Sequence, residues 1–384
     1  MRASFFQRII LPGFAFKAVV IGGGYATGRE LVEFFFDAGP LGGLYGLLTT
    51  MIIWSLVCAA TFLVARAFGA YDYRTFFRAL LGRGWPLFEI AYVALMLLIL
   101  SVFAAAAGEI ARAGLGIPAV FGTLGLTAAI IAVTAAGRHA METMFKYVSI
   151  FLYLVYATFI ILTLSRFGGR ISETLAAGAP TTGWFSSGLT YAGYNLVGAI
   201  VILPMARHIA SNRDAVVAGL LCGPMAALPA FLFFVCLIGF YPDIQDAPLP
   251  SDVMLTALDL PIFHLVFQTM ILAALLESGA GLVHALNERV AGVLAGKGRD
   301  MPATWRFALA AFILFGAVVV ATRVGLVDLI ARGYAFSAYV FLLIYVLPVM
   351  TIGLLRVATR ERRQDGPCLA EASPGQGRSE QGRS

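Results

Sequence analysis

Long apolar stretches separated by short polar joints run along the chain from Leu11 to Leu355. A helix that crosses a bilayer needs about 20 predominantly apolar residues. The pattern predicts ten such spans: 10–37, 41–65, 86–111, 117–136, 142–165, 185–206, 215–241, 261–287, 303–322 and 327–356. The last is long enough to bend, at Gly333 or at Pro348. Two joints exceed a tight turn. Residues 66–85 are amphipathic through Tyr73, Phe76, Phe77, Leu80 and Leu81, and residues 241–260 are acidic.

The first span is interrupted at its middle. Val20-Ile21-Gly22-Gly23-Gly24-Tyr25-Ala26-Thr27-Gly28-Arg29-Glu30-Leu31 sets four glycines and then two charges inside an otherwise apolar run. Each glycine costs about 0.8–1 kcal/mol relative to alanine in a helix. Non-helical backbone at membrane depth survives only where protein or a water-filled cavity satisfies its polar groups. Spans broken in this way line the substrate sites of transporters.

Composition agrees with a polytopic membrane protein. Of 384 residues, 60% are hydrophobic and 12% charged, about half the charge of a soluble domain, and mean hydropathy is +0.87. Arg2 and Arg8 ahead of an apolar run imitate a signal peptide. No small-x-small cleavage site follows, so residues 1–26 are read as the start of the first span. Cys58, Cys222, Cys236 and Cys368 have neither metal-ligand nor CxxC spacing, which points to neither zinc nor disulfides. The net charge of +6 reflects where basic residues sit relative to a bilayer and implies no nucleic-acid partner. Nineteen of the 27 Lys and Arg residues fall on one side of the ten spans and four on the other, which predicts cytoplasmic termini. The opposite-side joint 241–260 carries Asp243, Asp246, Asp252 and Asp259 and no basic residue. Residues 358–384 are too polar to bury a core and are expected to be disordered.

The spans divide into two sets of five, 1–166 and 185–357, joined by an outer linker, 167–184. An odd number per half would invert the second half relative to the first, so the sixth span should also be broken. Gly188-Leu189-Thr190-Tyr191-Ala192-Gly193-Tyr194-Asn195-Leu196-Val197-Gly198 fits that expectation, with glycines every five residues and two tyrosines and an asparagine among them. Breaks at matching positions of two halves point to a binding site at the midplane. The competing reading is close helix packing, for which membrane helices use glycine freely.

The string IGGGYATGRELVEFF, ten spans and a tyrosine-rich sixth span together resemble the YkvI-type bacterial membrane proteins. These are grouped with amino-acid permeases in the amino acid–polyamine–organocation superfamily. The resemblance implies an all-α, LeuT-like fold of five-plus-five inverted repeats with helices 1 and 6 broken. It also implies a bacterial cytoplasmic (inner) membrane location and secondary transport of an amino acid or similar small amine, coupled to sodium or protons. Relatives commonly have glutamine where this chain has Arg29, which points to an altered substrate contact or an added outer gate.

Under that fold, substrate meets Gly22, Gly23, Gly24, Tyr25, Ala26 and Thr27 of the first span and Tyr191, Gly193, Tyr194 and Asn195 of the sixth. The Thr27 hydroxyl and the Asn195 amide are the foremost side-chain contacts. Half-helix N-termini suit a carboxylate, and freed carbonyls suit a cation. Glu277 stands near the centre of span 8, where a charge costs at least about 2.5 kcal/mol and marks a cavity or a partner. Related transporters use span-8 hydroxyls for a cation site beside span 1, which makes Ser278 the matching residue and a bound sodium ion the implied companion. Lys146 has two readings, the lysine that replaces sodium in proton-coupled relatives or an i,i+4 pair with Glu142. Glu30 is either a coupling residue or an acid held by the dipole of the helix it opens. Arg29 is either a substrate contact or a gate closed against Asp328.

HExxH, Walker A, GxSxG and GxGxxG are all absent from the sequence, and no enzyme is expected. The alternative function is a ligand-binding receptor subunit on the same fold, as in amino-acid-sensing spore germination proteins. A channel is disfavoured by the lack of a repeated filter motif. Substrate, coupling ion, direction and oligomeric state stay open at this level.

Overall fold

The structure, a computed structural model, describes residues 4–135, 138–296 and 298–364, less the side chains of 23, 24, 115, 138–142 and 361–364. Over these residues it is helical throughout, with no strand. In chain order the α-helices are α1 (Leu11–Val20), α2 (Gly23–Ala26), α3 (Arg29–Phe35), α4 (Gly39–Phe68), α5 (Tyr73–Leu81) and α6 (Trp85–Leu115). They continue with α7 (Ala119–Ala135), α8 (Arg138–Ala177), α9 (Trp184–Asn195), α10 (Val197–Val201) and α11 (Asn212–Ile238). The remainder are α12 (Pro250–Leu258), α13 (Pro261–Ala295), α14 (Ala303–Val324), α15 (Leu326–Asp328), α16 (Ala335–Phe341) and α17 (Leu354–Gln364). Wider π-helical turns occupy Leu329–Tyr334, Leu342–Val346 and Val349–Gly353.

Seven stretches of the described residues are long and apolar enough to cross a membrane. The other three expected spans are helical but do not reach that length unbroken. The first is split into α1, α2 and α3; the fourth is α7, which has 17 residues; the sixth is split after Asn195 and again after Val201. At the two positions expected to bend the last span, one π-helical turn contains Gly333 and another follows Pro348 directly.

Local chemistry sets the ends of these elements. Asp72 caps α5 by accepting a hydrogen bond from the Thr75 amide at 2.9 Å, and Ser211 caps α11 through the Asp214 amide at 3.0 Å. Left-handed Gly69 and Gly116 end α4 and α6. Between helices, small residues allow backbones to approach, as is usual where lipid removes the hydrophobic drive for helix association. Gly219 and Gly223 of α11 lie against Ala59, Met51 and Ser55 of α4, and the Ser55 hydroxyl donates to the Leu220 carbonyl at 2.9 Å.

Two boundaries differ from expectation. Residues 167–184 are mostly helix, because α8 runs on to Ala177. The Ser172 and Thr174 hydroxyls bond back to carbonyls four residues earlier, and Arg170 pairs with Asp243 at 3.0 Å. The first residues of the expected disordered tail are helical to Gln364, anchored where Arg356 and Arg360 donate to the Ala79 and Ala67 carbonyls. Residues 365–384 lie outside the described residues, as does Cys368.

Candidate functional site

The interruption of the first span is real and has two hinges. Beyond α1, Ile21 (φ −82°, ψ 80°) leaves helical geometry and Gly22 is fully extended (φ −97°, ψ −179°). α2 then makes a single turn, and Gly28 (φ +78°) adopts the left-handed conformation before α3. The two glycines differ in what they require. A Cβ on Gly22 would lie 3.7 Å from Phe103 and 3.9 Å from the Ser278 hydroxyl, ordinary contacts. A Cβ on Gly28 would press on Phe233 at 3.2 Å, in a conformation that L-residues adopt at a cost of about 1–2 kcal/mol. Gly28→Ala should therefore lower thermal stability by several degrees and Gly22→Ala hardly at all. Equal melting temperatures for the two variants in detergent would contradict this account of the hinge.

The second glycine cluster behaves differently. The backbone of Tyr191–Asn195 is helical, not unwound, and the Leu196 amide still bonds to the Ala192 carbonyl at 3.0 Å. Only a tightened turn follows, where Ala199 bonds to Leu196 at 2.9 Å, and a 3₁₀ stretch then spans Leu203–His208. Close packing explains the glycines. Gly188 lies against Gly46 and Thr49 and accepts a hydrogen bond from the Thr50 hydroxyl at 3.0 Å. Gly193 lies against Ala338 of α16. The Asn195 amide turns back onto the Tyr191 carbonyl at 3.0 Å, reinforcing the helix.

Beside the first break lies a cavity of about 470 Å³. Its walls come from both sides of the break, from α6, α8, α9, α10 and α13, and from the π-helical turn that ends at Tyr334. Of the residues expected at the site, Gly22, Glu30, Tyr194, Asn195, Glu277 and Ser278 line it together. Val19 and Val201 on the rim toward the N-terminus are 42% and 44% exposed. Glu30, Tyr194 and Tyr334 at the other end are buried. The cavity is thus exposed where α1 meets α10 and closed off at Glu30.

Glu30, opening α3, accepts a 2.6 Å hydrogen bond from the Tyr194 hydroxyl at Oε2, and its Oε1 receives none from the described residues. Glu277 is half-buried and accepts from the Ser149 hydroxyl at 3.3 Å. The lining is otherwise apolar or aromatic, and no Lys, Arg or His is part of it. Lys17 stands at the open rim with its ammonium 4.5 Å above the ring of Tyr153.

The remaining expected residues lie elsewhere. Tyr25, Ala26 and Thr27 are buried but do not line the cavity. Tyr25 meets Tyr156 hydroxyl to hydroxyl at 3.4 Å, and the Thr27 carbonyl accepts from the Ser251 amide at 3.0 Å. Gly23 and Gly24 form the first turn of α2. Tyr191 is fully buried between Phe35, Trp54 and Phe34, and its hydroxyl has no hydrogen-bond partner. Lys146 is exposed, with its ammonium 5.8 Å from the Tyr147 ring, and is not a cavity residue; the side chain of Glu142 lies outside the described residues.

The expected Arg29–Asp328 gate does not form. Asp328 pairs on the surface with Arg332 at 3.3 Å. Arg29 is 4% exposed and pairs with Glu33, one helical turn on. It also donates to the Gln245 and Ala247 carbonyls at 2.5 and 3.1 Å. The segment between α11 and α12 is therefore strapped over α3, the second half of the first span. Its backbone carbonyls satisfy a guanidinium more readily than an exposed carboxylate on another helix could.

Sequence reasoning missed Glu33, Ser149 and Tyr334. The i,i+4 spacing of Glu33 from Arg29 was a usable signal; a lone serine or tyrosine in an apolar helix carries none.

These features define an all-helical membrane protein whose broken first span borders a cavity. The chain is similar to the uncharacterized membrane protein YkvI of Bacillus subtilis (strain 168), with 25% identity over 340 residues that cover 86% of this chain and 92% of that one. That similarity bears out the resemblance carried by the first span. No family model matches the chain. In fold it is similar to two variants of a manganese transporter from Eremococcus coleocola. Each superposes with a TM-score of 0.51 at 16% identity. One match covers 90% of this chain and 83% of the other, the second 91% and 84%.

Proposed function

We propose that the protein is a secondary active transporter of a small amine-bearing solute, working by alternating access and coupled to sodium or protons. The carrying observation is the cavity that joins Gly22 at the first break to Glu30, Asn195, Glu277 and Ser278. A midplane cavity at a broken helix is the site such carriers use. In this reading the chain is built from two inverted sets of five spans, with the termini in the cytoplasm of a bacterium. The open rim near Val19 and Val201 then makes the conformation inward-facing, and the strap over Arg29 is the closed outer side. Gly22, Ser278 and Glu277 form the coupling site, holding a sodium ion or a proton.

A metal substrate, as named for the manganese transporters of similar fold, finds less support. No group of three or more His, Cys, Asp or Glu suited to a metal occurs among the described residues, whereas hard divalent cations take about six oxygen ligands. A receptor subunit that binds a solute without carrying it is the second reading. Proteoliposome counterflow tests the choice. Vesicles containing the protein and preloaded with unlabelled solute should draw in labelled solute transiently above equilibrium. Binding without any counterflow would reject the carrier.

A further inference from the structure

The cavity's charge is one-sided. Two carboxylates, Glu30 and Glu277, face it, and no basic side chain does. An amino acid entering here would need a group to neutralise its carboxylate. From sequence, that group was to be the N-terminus of a half-helix freed by unwinding at Tyr191–Asn195. The helix is continuous through Asn195, where the Leu196 amide is bonded to Ala192. α10, which opens at Val197 on the cavity wall, is five residues long, too short to build a substantial dipole. On the other side α2 is a single turn of four residues, too short to build a substantial dipole. Arg29, adjacent to Glu30 in sequence, is spent on Glu33 and on the strap carbonyls. A carboxylate in this site would meet the two acids and find no basic side chain among the described lining residues, a repulsive arrangement of the kind that sets specificity.

A cation meets the opposite. Glu30 offers Oε1, which has no donor, at the buried end of the cavity. Next to it on the wall is Tyr334, whose ring stacks on Tyr194 with centroids 4.5 Å apart. Tyr194 is itself stacked on Phe34 at 5.8 Å, so Tyr334 is the ring of the pair that serves a ligand. Aromatic faces attract ammonium groups by about 0.5–2 kcal/mol, more as water is excluded. The rest of the wall, including Val20, Leu95, Met96, Ile99 and Phe103, is apolar and suits a hydrocarbon or aromatic body.

We infer that the substrate is an organic amine without a carboxylate, carrying an apolar or aromatic body, and that Glu30 is the counter-ion of its ammonium group. This rests on the carrier reading and narrows it. Glu30 passes from the coupling residues to the substrate contacts, while Glu277 and Ser278 keep the coupling role.

The test is a matched panel on the purified full-length protein, read by thermal stabilisation and by displacement of a bound amine. Three bodies, isobutyl, phenyl and indolyl, are each offered as the amine, the α-amino acid and the carboxylic acid. At least one amine should bind ten times more tightly than its amino acid, and the acids should not bind. Glu30→Gln should weaken the amine at least tenfold, and Glu109→Gln, in the exposed pair with Arg112, should not. If Glu30→Gln fails to fold, the wild-type panel decides alone. An amino acid that equals or surpasses its amine overturns the inference, as does a panel in which no amine binds, or a folded Glu30→Gln that keeps full amine affinity. Amine binding without counterflow would reject the carrier and leave the amine assignment standing.

Discussion

Replacing Glu277 with glutamine is expected to leave solute exchange intact while cutting accumulation against a gradient by about fiftyfold. That factor is what one coupled charge supplies, about 2.3 kcal/mol at a membrane potential of 100 mV. The carboxylate sits on α13 next to Ser278, facing the cavity, with only the Ser149 hydroxyl bonded to it. Glutamine keeps the shape and can still accept from Ser149, so the fold should persist. What it removes is the ability to bind a proton or to balance a sodium ion. The measurement is uptake into proteoliposomes under imposed pH and sodium gradients, set beside counterflow in the same vesicles. Undiminished accumulation with unchanged pH and sodium dependence would show that coupling lies elsewhere.

Arg29→Gln should open the outer side. The guanidinium is the only side chain seen to bond both strap carbonyls, Gln245 and Ala247, while also pairing with Glu33. Hydrogen bonds to a charged group contribute about 1.5–3 kcal/mol each, and each 1.4 kcal/mol is a tenfold change in an equilibrium. Losing two such bonds should favour the outward-open state by tenfold or more. A cysteine placed at Ala26, which is buried two residues after Gly24 and one before Thr27, reports the change through its reaction with a membrane-impermeant thiol reagent added on the strap side. Its labelling should accelerate at least tenfold in the Arg29→Gln background. Unaltered labelling together with lost solute binding would instead return Arg29 to the substrate.

Those two residues illustrate what could be read from the chain beforehand. Glu277 was legible because a lone acid in an apolar run has few explanations. The break at Gly22–Gly28 was legible because its glycines adjoin charges at a depth where neither belongs. The sixth span does break, but at Leu196 and not over Tyr191–Asn195. The break was misplaced because tight packing and unwinding recruit the same small residues. Only the neighbours, Gly46 against Gly188 and Ala338 against Gly193, tell the two apart. The strap partners of Arg29 were beyond reach for another reason. Backbone carbonyls in a loop more than 200 residues away have no side-chain signature, so only the Glu33 half of its pairing could be read from spacing. The length of the spans was readable on average but not at their interruptions, where three expected crossings are divided or shortened.

Tyr334 ends a π-helical turn, and this makes that turn the place where the last span can lose a residue. A turn of this kind accommodates an extra residue between hydrogen-bonded partners. Deleting one residue from 329–333 would let the ladder close to α geometry with the flanking helix still in register, and the phenol would keep its place on the cavity wall. A deletion in the α-helical stretch Ala335–Phe341 would instead rotate everything beyond by about 100°. Homologous chains that share the site should therefore differ by one residue within this turn far more readily than in the helix that follows it.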